Sequence, residues 1–191
     1  MRCGVWRTWQ PTHPGSTSLW TTRAPALALR YGACAIRCPI LTGRASFQNS
    51  APLSTFFQEM TGQGAPRFVI DFAGCAGMDS TFLGIIAGAA MEARRTEGGY
   101  LALLRLGERN LELVRNLGLH RLAQVASAEM EEAYSDAAGS TQVLEGEAAV
   151  PRDVLIEAHE NLANINEENQ EKFQDIVEYL KSRAKGTADD Q

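Results

Sequence analysis

Where the apolar stretch FVIDF gives way to the small-residue run FLGIIAGAA, the chain places Asp79, Ser80 and Thr81 side by side at a helix start. Two kinds of chemistry suit these residues there. A side-chain oxygen at a helix N-terminus accepts from the free amides of the first turn, which stabilises the helix by about 1 kcal/mol. An exposed hydroxyl at the same positive end is also a place where the fold tolerates an added phosphate. Such a group carries roughly −1.5 to −2 charges at neutral pH. At about 5 Å from Asp79, in an effective dielectric near ~20, each unit of that charge is repelled by about 3 kcal/mol before screening, and the helix amides offset part of it. Against an acidic or apolar partner surface the offset is incomplete, and a few kcal/mol changes affinity by orders of magnitude. A serine modified at this seam is therefore able to switch binding off without unfolding the chain.

Other constellations are weaker. Ser80 with His120 or His159 and an aspartate has the composition of a triad, but no GxSxG elbow surrounds Ser80 and His120 lies in GLHRL at a helix end. No catalytic residue is assigned. Neither a GxxxxGK[ST] loop nor a GxGxxG after a strand occurs, so nucleotide binding has no motif. Asp71 and Asp79 have no third carboxylate nearby, and Cys34 and Cys38 have no second Cys/His pair, so neither a metal nor a cofactor is expected. Four cysteines in 191 residues, without a convincing signal peptide, make a reducing cytoplasm the expectation.

The charge is distributed unevenly. Residues 1–58 hold six arginines and no acid, whereas residues 129–191 hold sixteen acids against five bases. The acidic half argues against a nucleic-acid groove, and the basic arm lacks a cluster that could track phosphates. The longest small apolar run, Thr81 to Met91, is too short to cross a bilayer, so no membrane insertion is expected. Its Gly84 and Gly88 are expected to bring the helix close to a sheet.

These residues need elements to hold them. Residues 1–25 show no periodicity and read as a disordered or wrongly assigned N-terminal extension, and residues 27–134 as the folded domain. LALRYG and ACAIRC are short alternating runs, the second ending at Pro39. A helix capped by Asn49 or Ser50 begins near Ala51 and stops at Gly62 or Gly64; RFVIDF is a buried strand; a helix runs from about Ser80 to Thr96. A strand over Tyr100–Leu106, a helix over Glu108–Asn116 and a strand over Leu122–Ala126 complete an alternation that predicts an α/β layer with mostly parallel pairing. Residues 135–150 read as a linker, 151–184 as an amphipathic helical tail broken near Asn164–Asn166, and 185–191 as a disordered end. The tail offers a surface for packing on the domain, on a partner or on a second copy.

The pairing of FVIDFAGCAGMDSTFLG with the later NLELVRNLGLHRLAQV resembles the STAS domain family, the anti-sigma-factor antagonists and their relatives. Asp71, Asp79, Ser80, Thr81, Leu83 and Gly84 fall on the family motif, as do Leu117, Gly118 and Leu119, and the likeness covers about Leu27 to Met130. It implies a STAS-type mixed sheet with helices mostly on one face, followed here by a C-terminal helical extension. It also implies a regulatory binding protein and no enzyme. Ser80 would be phosphorylated by an anti-sigma factor that is a serine kinase and restored by a PP2C-type phosphatase, and the docking residues would be Asp79, Ser80, Thr81, Phe82, Leu83 and Gly84. Phe82 stands where the best-known antagonists have glycine, and its ring is expected to narrow kinase access or enlarge the apolar contact surface. The alternative is a constitutive structural STAS subunit of a transporter or lipid-export complex, with Ser80 only a cap.

Overall fold

The computed structural model describes residues 20–23, 38–61, 67–127, 129, 141–144 and 148–186. Its strands are β1 (Trp20–Arg23), β2 (Cys38–Ala45), β3 (Arg67–Met78), β4 (Tyr100–Leu104), β5 (Gln124–Val125) and β6 (Thr141–Leu144). The helices are α1 (Ala51–Thr61), α2 (Ser80–Arg95), α3 (Glu108–Asn116), α4 (Arg152–Ala163) and α5 (Glu167–Gly186). The sheet order is β5-β4-β3-β2-β1-β6. The pairs from β2 to β5 are parallel, while β1 runs antiparallel to both β2 and β6. This is the expected mixed sheet.

Alternation along the central strands divides the two faces. Phe68, Ile70 and Phe72 of β3 and Leu101 and Leu103 of β4 join the main core with Leu53, Phe57, Phe82, Ile86, Val114 and Leu162 from the helices. Val69, Ala102 and Leu104 form a smaller cluster on the other face. Helices therefore cover one side of the sheet, and Phe57 meets Phe68 edge-on at 4.9 Å between centroids.

The limits of α1, α2 and α3 follow the sequence signals closely. Four expectations are corrected. β2 does not end at Pro39 but runs from Cys38 through TGRA, with Pro39 opposite Thr22 of an antiparallel neighbour. Its pairing with β3 slips twice, and Gly43 sits at the second slip with φ +76, a backbone shape suited to glycine. β3 continues beyond RFVIDF through AGCAGM up to the start of α2, because parallel pairing with β2 holds a stretch that has little alternation of its own. The N-terminal extension 1–25 and the linker 135–150 each contribute a strand: Trp20–Arg23 and Thr141–Leu144 pair with one another. The run LALRYG and residues 1–19 lie outside the described residues, as does most of 128–147.

Asn164 terminates α4, donating its amide to Glu160, and α5 begins at Glu167 with Glu168 in its first turn. The break expected near Asn164–Asn166 is there. Among the described residues no helix is long and apolar enough to cross a membrane.

Candidate functional site

β3 delivers Asp79 to the start of α2, and the two candidate roles at this seam fall to different residues. Asp79 is the N-cap, with an extended backbone (φ −103, ψ 174). Its Oδ1 accepts from the Phe82 amide at 2.8 Å, and its Oδ2 accepts from the Phe47 amide at 2.8 Å, reaching into the turn between β2 and α1. Both carboxylate oxygens are thus engaged. Ser80 is the first helical residue and takes no part in capping, so the reading of Ser80 as the cap is corrected to Asp79.

The Ser80 hydroxyl instead meets the helical tail. Ser80 Oγ lies 3.1 Å from His159 Nε2 on α4, and His159 Nδ1 lies 2.8 Å from the Leu155 carbonyl oxygen. A carbonyl only accepts, so Nδ1 carries the proton, and in the neutral ring Nε2 accepts from Ser80. His159 is buried and Ser80 half-buried. Of the two histidines considered for a triad, this one reaches Ser80, but its far nitrogen is bound to a backbone carbonyl and not to an aspartate. His120 lies in the short turn Leu119–Arg121, which shares a cleft with the C-terminal end of α2.

Asp71, the other motif aspartate, is buried. It is held by the Arg105 guanidinium, which reaches both carboxylate oxygens, and its Oδ1 also accepts from the Ala73 amide at 3.0 Å. Arg105 is the one described non-glycine residue with positive φ, 52°. Asp71 therefore ties the middle of β3 to the residue that follows β4. Asn110 donates to the Cys75 carbonyl at 3.0 Å, and burial pushes the Cys75 thiol upward, against hydrogen bonds that lower it. Among the described residues no group of three His, Cys, Asp or Glu side chains could hold a metal ion.

Of the six positions expected to face a partner, Asp79 and Ser80 keep partial exposure. Thr81, Phe82, Leu83 and Gly84 are buried. The Phe82 ring, expected to influence access or contact, turns inward and meets Phe72 edge-on at 6.3 Å. Gly84 faces α4 and not the sheet: a Cβ there would overlap the Ala158 backbone. Gly88 likewise abuts the Asn161 side chain. The close approach that these glycines permit is therefore helix to helix, correcting the expected neighbour.

One rim residue had no signal beyond its place in a polar stretch. Phe47 is 44% exposed beside the seam, and its carbonyl accepts from the Val150 amide at 2.9 Å, where the tail begins. A groove of about 630 Å³ opens between α1, α2 and α4, with Phe57, Ile85, Met91 and Val154 in its walls.

Residues 40–125 match the family described as "Mlab, STAS domain". Among solved structures, the chain is similar to a proposed anti-sigma factor antagonist from Thermotoga maritima, at 17% identity over 52% of this chain and 87% of that one, with a TM-score of 0.46. It is also similar to the anti-sigma factor antagonist SpoIIAA in its unphosphorylated form, at 17% identity over 51% of this chain and 84% of that one, with a TM-score of 0.41. No curated protein matches the chain.

Proposed function

Since residues 40–125 match a STAS-domain family, we propose that the chain is a regulatory binding protein whose docking face is the Ser80 seam together with α2. The partner is an anti-sigma factor with serine-kinase activity. Phosphate on Ser80 blocks productive engagement, a PP2C-type phosphatase restores it, and the protein works in the cytoplasm by binding, without catalysing a reaction or contacting nucleic acid.

The observation that carries this reading is the division of labour at the seam. Asp79 satisfies the first turn of α2, which leaves the Ser80 hydroxyl without a capping duty at the positive end of a sixteen-residue helix. A phosphate added there would lose the hydrogen bond to His159 and stand beside a carboxylate. The amides of the helix start offset part of the added charge, while the contact with His159 on α4 is broken and the charge of the seam changes sharply.

Incubation with ATP and a serine kinase from the same cell, followed by intact-mass comparison of the wild type with Ser80→Ala, tests the reading. The expected result is one added phosphate on the wild type and none on the variant; an unlabelled wild type would sink it.

A second reading, a constitutive structural STAS subunit of a transporter or lipid-export complex, is favoured by one observation. Ser80 Oγ already has an internal partner in His159. On that reading a Ser80→Ala chain assembles with its partner as well as the wild type does, whereas on the first reading Ser80→Asp alone is rejected.

A further inference from the structure

The expected docking face is already occupied by a helix of the same chain. α4 lies along α2 so that residues spaced by four meet it in turn: Ser80 bonds His159, Gly84 receives the Ala158 backbone, and Gly88 receives Asn161. α5 folds back on α4, with Lys181 paired to Glu160 at 2.5 Å. The turn between the two is pinned by buried Asn169, whose amide donates to the Leu117 carbonyl at 2.9 Å and to the Leu162 carbonyl at 3.0 Å.

The seat is close, and most of its large apolar side chains are only partly buried: Val154, Leu155, Ile165 and Phe173 pack against the core without being sealed in it. The buried residues of α4 are Ala158, His159 and Leu162, one of them a large apolar residue. Asn169 Oδ1 is buried without a partner among the described residues, which weakens the seat further because an unpaired buried acceptor is costly. The groove between α1 and α2 undercuts α4 along Val154, Glu157 and Asn161, leaving one flank unsupported. By contrast α2 buries ten residues, most of them apolar. Elements whose apolar side chains are mostly half-covered are those that open below the global unfolding threshold.

We propose that the α4–α5 hairpin is a detachable cover over α2, and that it competes for this face with a partner helix of the same contact chemistry. That partner would present a small residue over Gly84 and a hydrogen-bonding side chain opposite Ser80. The proposal rests on the reading of α2 as the docking face. It makes the chain self-inhibited: a partner gains access only as the hairpin lifts, and a phosphate on Ser80 would act on the hairpin before it acts on any partner.

Native-state hydrogen exchange on the unmodified full-length chain tests the cover. Amides of α4 and α5 are expected to exchange together, at least about 100-fold faster than those of β3 and β4. Exchange of α4 in step with β3 and β4 would overturn the proposal. The competition is tested in the full-length Ala158→Glu chain, which keeps the α2 face but spoils α4. A fluorescein-labelled peptide of residues 148–186 should bind this variant and leave the wild type unbound. A variant that has lost α4 protection, keeps β3 and β4 protected and still ignores the peptide would refute the competition; if the variant fails to fold, the wild-type exchange pattern decides. Neither measurement uses a kinase or phosphate. The cover is therefore judged by exchange and peptide binding alone, whatever the outcome of Ser80 labelling.

Discussion

Helix α2 is held differently on its two sides. Toward the sheet it presents Phe82, Ile86, Ala90 and Ala93, at most 1% exposed, and Phe82 locks against Phe72. Toward α4 it presents Ser80, Gly84 and Gly88, which have almost no side chain to bury. The first contact is stabilised by the removal of apolar volume from water, the second by backbone proximity and hydrogen bonds. One helix thus carries a permanent face and a face built to fit another helix, and the difference predicts how each responds to substitution.

The largest effect belongs to the sheet side. Phe72→Ala is expected to cost about 3–5 kcal/mol in urea unfolding, since it removes a buried ring and leaves a cavity against Phe82. Gly84→Val tests the other side: the added carbons collide with the Ala158 backbone, costing about 1–3 kcal/mol, with lost exchange protection confined to α4 and α5. Equal loss of protection in β3 would show that the two sides do not differ. Asp79→Ala removes the cap and the bond to Phe47, for about 1–2 kcal/mol measured as a shift in the unfolding midpoint. His159→Phe keeps the ring volume while removing the partner of Ser80, and is expected to cost about 1 kcal/mol, read in the same way.

The smallest effect lies on the exposed side of α5. Lys172 holds the Glu168 carboxyl below its ordinary value by a hydrogen bond first and by its charge second. Because the folded value is depressed, any stabilisation is present above the ordinary carboxylate range and is lost as pH falls through the depressed value. Lys172→Met should raise the Glu168 titration midpoint, followed by carboxyl carbon NMR, without a detectable change in thermal stability.

The helical boundaries were legible because their signals are local. Asp79 caps α2, which ends at Arg95 shortly before Gly98 and Gly99, and α1 starts at Ala51 with Pro52 in its first turn. The expected Asn49 or Ser50 cap is corrected, since the Ser50 hydroxyl donates back to the Ser46 carbonyl and Asn49 bonds Ser46 and Arg44. β3 read short because AGCAG lacks the large residues that reveal alternation; its length is set by the β2 partner, which no local pattern encodes. At the site, the adjacency of Asp79 and Ser80 was visible. Their division of labour was not, because Ser80 and His159 are 79 positions apart and meet only when the tail folds back. The GxxxG spacing correctly announced close approach while leaving open what approaches.

Phe47 stands at the junction of these events. Its amide is held by the aspartate that starts α2, and its carbonyl holds Val150, where the tail leaves for α4. A single residue therefore links the root of the α4–α5 hairpin to the first turn of the helix beneath it. A tryptophan placed at this half-open position would sit on the axle, where its emission would register rotation of either part.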